Sequence, residues 1–179
     1  MAQMAKAKKR PVNKKKNKTR NKILAIAVIL FFIGASFASL GGNNSVTDST
    51  ATLPEVTGAA GSAPTIAAPK GTAPTTLQTK DIIVGTGAEV TAASTLTVQY
   101  TLMAWSSGKI IESSWTGSKP ATFPLAGVIQ GWQQGLPGAK VGGRRLLVIP
   151  PSLGYGANGS GPIGANETLI FVVDIVGVK

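Results

Sequence analysis

The side chains with most to offer chemically lie in the C-terminal part of the chain. They are the aromatics Tyr100, Phe123, Trp132, Tyr155 and Phe171 and the acids Asp81, Glu89, Glu112, Glu167 and Asp174. The chain has no Cys and no His, which removes disulfides, thiolate nucleophiles, His general bases and zinc sites built from those residues. No two acids have the spacing that suggests a two-carboxylate hydrolase, and the serines have neither a His nor an SxxK motif to activate them. The Gly-rich stretch 154–164 (GYGANGSGPIG) matches neither a phosphate loop nor a dinucleotide fingerprint. One reaction needs no nucleophile, metal or His base: rotation about the peptide bond preceding a proline. Its barrier of ~18–20 kcal/mol is the loss of amide resonance. A catalyst lowers that barrier by taking the amide out of water and fitting its twisted form. Such a catalyst needs an apolar, aromatic-lined hollow with one or two hydrogen-bond donors.

The elements that would position these residues can be read from periodicity. In TLTVQYTLMAW (Thr95–Trp105), Leu96, Val98, Tyr100 and Leu102 share one face of a strand. Gly108 marks a turn into a second strand, Lys109–Ser114. The stretches 144–149 (RRLLVI) and 168–176 (TLIFVVDIV) are apolar and β-branched, as buried strands are. Between them, Val128, Ile129, Trp132 and Leu136 recur at near-helical spacing, and Pro137-Gly138 ends the segment. Gly131 within it costs about 1 kcal/mol against Ala, so it implies close packing or a short helix. The expected fold class is α+β: a curved antiparallel β-sheet (half-barrel) wrapped around one short helix, over residues 78–179. Without further information Trp132, Phe123 and Phe171 serve equally well as core aromatics.

An ordered set of motifs adds to this reading. YT at 100–101, GKxxxSS at 108–114, VIxGWxxGL at 128–136, VGxRRxLxIPPxLGYG at 141–156 and TLxFxVxxV at 168–176 follow one another in this chain. In order and spacing they resemble the FKBP-type prolyl isomerases, over about residues 78–179. The resemblance implies isomerase activity with no cofactor and no metal. It implies a pocket in which Trp132 forms the floor beneath the bound proline ring, and Tyr100, Phe123 and Phe171 line the walls. Val128 and Ile129 would form the lip, with the Ile129 backbone N–H bonding a ligand carbonyl. Tyr155 would offer its hydroxyl, Ile163 would cap the pocket, and Ile111 and Glu112 would complete it. Tyr100, Glu112, Trp132, Tyr155 and Phe171 are then the catalytic candidates, and Ile111, Phe123, Val128, Ile129 and Ile163 the substrate-binding ones. Proline-containing polypeptides and macrolides of the immunosuppressant type are the implied ligands. The chain departs from the family pattern in several places. Ile111 and Ala121 stand where aromatics are usual, and Glu112 is one methylene longer than the usual Asp. Ile163-Gly164-Ala165-Asn166 lacks a Pro, and one or two residues are missing before Val128. A softened pocket leaves a second reading open, a catalytically weak or inactive proline-binding chaperone or interaction module.

Charge divides the rest of the chain. The formal net charge is +11, yet ten of the eighteen basic residues fall within 1–22 and every acid lies beyond residue 40. The C-terminal domain is therefore nearly neutral, which argues against nucleic acid as a partner. Residues 23–40 (ILAIAVILFFIGASFASL) carry no charge over 18 residues, a length that just spans ~30 Å of hydrocarbon as a helix. The Lys-rich run before it places residues 1–22 in the cytoplasm and the remainder outside. The apolar segment is either a retained signal anchor or a signal peptide cleaved near Ser36-Phe37-Ala38. Residues 41–77, rich in Gly, Ser, Thr, Ala and Pro, are expected to be a flexible tether. The expected product is a monomeric domain outside the membrane, anchored by residues 23–40 or secreted.

Overall fold

The computed structural model describes residues 52–117 and 119–179. In chain order the strands are β1 (Val56–Thr57), β2 (Thr65–Ile66), β3 (Gln78–Ile83), β4 (Thr95–Ala104), β5 (Ile110–Ser113), β6 (Ala121–Pro124), β7 (Arg144–Ile149) and β8 (Leu169–Val178). Among the described residues there is one α-helix, α1 (Gln130–Gly135), between β6 and β7. β1 and β2 form a small hairpin of their own, and the other six strands form one antiparallel sheet in the order β3-β7-β8-β4-β5. β4 is shared along its length: Thr95–Val98 pair with β6, and Thr101–Met103 pair with β5. The expected fold class is therefore observed. The helix is shorter than the Val128–Leu136 expected from spacing, because Ile129 holds extended N-cap dihedrals and Leu136 is already the C-cap.

Alternation sorts the side chains onto two faces. Leu96, Val98, Tyr100 and Leu102 of β4, Leu147 and Ile149 of β7, and Leu169, Phe171, Val173 and Ile175 of β8 share one core with Trp132 and Leu136. Met103, Leu146, Val148, Ile170 and Val172 point the other way into a second core. Burial of both faces explains why β7 and β8 read as nearly continuous apolar runs.

Helix α1 rests directly on β7. A Cβ on Gly131 would stand 2.4 Å from Ile149 Cγ2, and one on Gly135 2.5 Å from Leu147 Cδ2. Glycine is what lets the helix backbone come this close. Arg145 fastens the far end. Its Nη1 donates to the carbonyls of Gly135 (3.0 Å) and Pro137 (3.0 Å), while Nε and Nη2 donate to Asp81 on β3.

The tether expected over 41–77 is corrected for its described part. Residues 53–73 pack on the outer face of the sheet: Val56 and Ile66 are buried in the second core beside Trp105, and Leu53 and Ala73 pack against it. Pro54, Pro64 and Pro74, which suggested irregular chain, are themselves buried. Arg144 holds this strap in place. Arg144 has a fully buried side chain and pairs with Asp174 (Nε–Oδ1 2.6 Å, Nη2–Oδ2 2.8 Å). It also donates to the carbonyls of Gly58 (3.0 Å) and Ser62 (2.6 Å). No helix among the described residues is long and apolar enough to cross a membrane. The basic segment 1–22, the apolar segment 23–40 and residues 41–51 of the expected tether lie outside the described residues.

Candidate active site

Four aromatic rings meet at the centre of the inner face. Trp132, presented by α1, receives Tyr100, Phe123 and Phe171 edge-on, with ring centroids 5.8, 6.1 and 5.3 Å away and interplanar angles of 83–85°. Edge-to-face contact sets the positive ring edges against negative faces, so the cluster is favourable as well as dry. Tyr100 also lies 6.5 Å from Phe123 and 6.3 Å from Phe171. Val128 and Ile163 are buried in the same core, and Ile111, Ile129 and Tyr155 pack against it half-buried. Residues that the sequence spreads over 100–171 thus converge on one place.

The polar members are few and well defined. The β4–β5 register pairs Leu102 with Glu112, which sets Glu112 diagonally across from Tyr100 on the same face. The Tyr100 hydroxyl donates to Glu112 Oε1 at 2.5 Å. The Tyr100 backbone N–H donates to Ser114 Oγ (2.8 Å), whose hydroxyl donates in turn to Gln99 Oε1. Burial raises the carboxyl pKa of Glu112 above its ordinary value, opposed in part by the Tyr100 hydrogen bond. Burial also raises the Tyr155 pKa, helped by the charge of Glu112, and burial and Glu112 together raise that of Tyr100. Both tyrosines therefore remain O–H donors across the neutral range.

A groove of about 470 Å³ opens beside this cluster, with Val128, Ile129 and Tyr155 among its walls. The carbonyl of Ile129 accepts from Trp132 and Gln133, but its N–H finds no acceptor among the described residues. The Tyr155 hydroxyl likewise finds no partner there. Gln133 Nε2 donates to the Val128 carbonyl (2.7 Å) and so ties the lip to the helix. The Ile163 loop is shaped by a close pair of bonds between Ser160 and Ile163, both 2.9 Å. Gly159 at φ 64° permits it, since a Cβ there would stand 2.2 Å from the Ile163 carbonyl oxygen.

The opening does not lie where the sequence places it. The Trp132 indole is fully covered, and the groove is walled by Val128, Ile129 and Tyr155, which pack on the indole's cluster. The reason is the three rings that close edge-on around it. The Trp132 Nε1–H is buried without a partner. Sequence reasoning missed Gln130, Gln133, Ser152, Asn158 and Ser160, which supply the groove's polar wall. Gln133 was accessible in principle, one helical turn from Ile129. Gln130 opens the same helix, whereas Ser152, Asn158 and Ser160 lie on connecting segments without periodicity.

The arrangement offers an uncharged groove beside a dry aromatic cluster, with two vacant donors and no activated nucleophile, which suits strain and desolvation of a neutral amide. Comparison with known proteins agrees. The family model for FKBP-type peptidyl-prolyl cis-trans isomerases matches residues 87–176. A probable FK506-binding protein of Corynebacterium glutamicum is 46% identical over 96 residues, covering 54% of this chain and 81% of that protein. An FK506-binding protein of Streptomyces anulatus is 46% identical over 106 residues, covering 57% and 86%. The crystal structure of FkpA from Escherichia coli superposes with a TM-score of 0.55 at 39% identity, over 57% of this chain and 48% of that one. The aromatic cluster, its vacant donors and these similarities together identify the chain as a member of the FKBP-type peptidyl-prolyl cis-trans isomerase family.

Proposed function

We propose that the enzyme isomerises Xaa-Pro bonds of exported polypeptides outside the membrane, with the prolyl ring seated in the groove between Ile129 and Tyr155, over the Trp132 cluster. The observation that carries this reading is the pair of donors without acceptors at the rim of a dry aromatic cluster. The Ile129 N–H holds a substrate carbonyl, and the Tyr155 hydroxyl bonds a second polar group of the peptide. The apolar side, formed by Val128, Ile129 and the Tyr155 ring, strips water from the amide, whose planar form is more polar than its twisted form. The walls thus favour the transition state over the ground state. Glu112 holds the Tyr100 ring in place through its hydroxyl. Uncatalysed isomerisation takes tens of seconds, which is long enough to limit folding of an exported chain.

The charge step from the Lys-rich segment 1–22 to the apolar segment 23–40 supports placement of the domain outside, held by an anchor or released by cleavage. Protease added to intact cells should degrade the domain or find it already shed, and mass spectrometry of the released form would locate any cleavage. A domain protected until the cells are lysed would contradict that placement. For the activity, the full chain should shorten the proline-limited refolding phase of an unfolded substrate protein, and no change with a folded enzyme would overturn it. The covered indole, with Ile111 and Ala121 in place of aromatics, favours weakened turnover as a second reading. If turnover is weakened in this way, Ile111→Phe with Glu112→Asp should raise kcat/KM.

A further inference from the structure

The groove beside Tyr155 does not end at the prolyl site. Its walls include Pro151, Ser152 and Gly156, and the same three residues border a second, more open cleft of about 540 Å³. Ala73, Pro74 and Thr75 of the N-terminal strap form one side of that cleft, and Pro150, Ala157 and Thr168 contribute to the other. The strap is firmly seated where it does this. Ala73 packs on the outer core, Pro74 is buried, and Leu77 packs on the inner core, so residues 73–77 cross the rim of the sheet between two anchors. Neither cleft has a charged residue in its walls. The strap residues lie outside the segment 87–176 that matches the family.

We infer that the two clefts form one continuous track for the substrate polypeptide. The stretch on one side of the proline passes over Ser152 and Gly156 into a subsite completed by Ala73, Pro74 and Thr75. The inference rests on the proposed prolyl site and extends it. The occupant is the same chain that enters the groove, because the two clefts share their dividing ridge. Its chemistry is set by the walls: uncharged side chains, since a Lys or Glu would give up hydration with no opposite charge to meet it. The enzyme is thereby matched to unfolded chains with an uncharged run beside the proline, and a short peptide uses only half of the track.

The test compares kcat/KM of the full chain, purified in mild detergent, on three kinds of Xaa-Pro peptide by cis-trans exchange. The first is a blocked tetrapeptide. The second is a peptide of about ten residues, long enough to span both clefts, with an uncharged flank before or after the proline. The third has the same length and a Glu-bearing flank. The uncharged long peptide, with its flank on one side only, is expected to exceed the tetrapeptide about tenfold, and the Glu-bearing peptide to show no such gain. Thr75→Arg, at an exposed position on the strap's side of the cleft, should reverse this order. The uncharged advantage shrinks and the Glu-bearing peptide gains, which a merely structural role for Thr75 would not produce. Equal rates for short and long peptides, or an unchanged order in a folded Thr75→Arg variant, would overturn the track while leaving the prolyl site standing. No turnover of any peptide would overturn the prolyl site itself, and the track with it.

Discussion

Tyr100 belongs both to the core and to the proposed site. Its ring closes one edge of the Trp132 cluster while its hydroxyl is held by Glu112. Tyr100→Phe keeps the ring and removes the bond, leaving a half-buried carboxylate without its donor. Steady-state kinetics should show kcat/KM lowered about tenfold, equivalent to ~1.4 kcal/mol, with the fold intact. Glu112 also makes stability depend on pH. Burial raises its pKa above the ordinary 4.5, so the folded protein holds that proton more tightly than the unfolded chain does. The stability associated with the protonated form is complete at low pH and is lost as pH rises through the raised value. Glu112→Gln removes this dependence. The melting temperature of the variant relative to the native protein is therefore expected to climb as pH rises from below the ordinary 4.5 through the raised value, and a flat difference would contradict the burial of that carboxyl.

At the level of elements, the helix and the strand beneath it act as one unit. Ile149 is fully buried and cannot move aside for a methyl group at position 131. Gly131→Ala should therefore cost ~1–3 kcal/mol in denaturant unfolding despite the better helix propensity of Ala, and should lower activity by lifting Trp132. This packing also explains which elements could be read from sequence. β4, β7 and β8 announce themselves because burial of one or both faces imposes a strict apolar pattern. Gly131 signalled close packing because nothing else justifies it there. β3 (QTKDII) and β6 (ATFP) carry no such pattern: half of each is exposed, so their residues were free to be polar. The proposed site residues could be named because their motifs recur in a known order. The position of the opening was not, since it depends on how three rings close around an indole.

For the whole molecule, the packed unit begins well before residue 78. The prolines of 52–77 suggested free chain, because Pro removes a donor and resists regular structure. Here Pro54, Pro64 and Pro74 are buried contacts, and the adjacent Arg144 and Arg145 divide between the two faces of β7 by simple alternation. Arg144 supports Gly58, Ser62 and Asp174 at once. Arg144→Ala leaves the nearly buried Asp174 unpaired and should cost ~3–5 kcal/mol, with faster proteolysis within 52–77. Thermal unfolding should likewise place a fragment starting at residue 78 well below one starting at residue 52, because the shorter fragment exposes the outer core. The more open of the two clefts depends on the same arrangement, with one wall inside the segment that matches the family and the other supplied by the strap. The most direct test of the account is cis-trans exchange spectroscopy of an Xaa-Pro peptide with the full chain, beside a Tyr155→Phe variant that lacks one of the two vacant donors. The native protein should accelerate exchange well beyond buffer and the variant should do so several-fold less. Exchange at the buffer rate with a folded native protein, or equal acceleration by both, would contradict it.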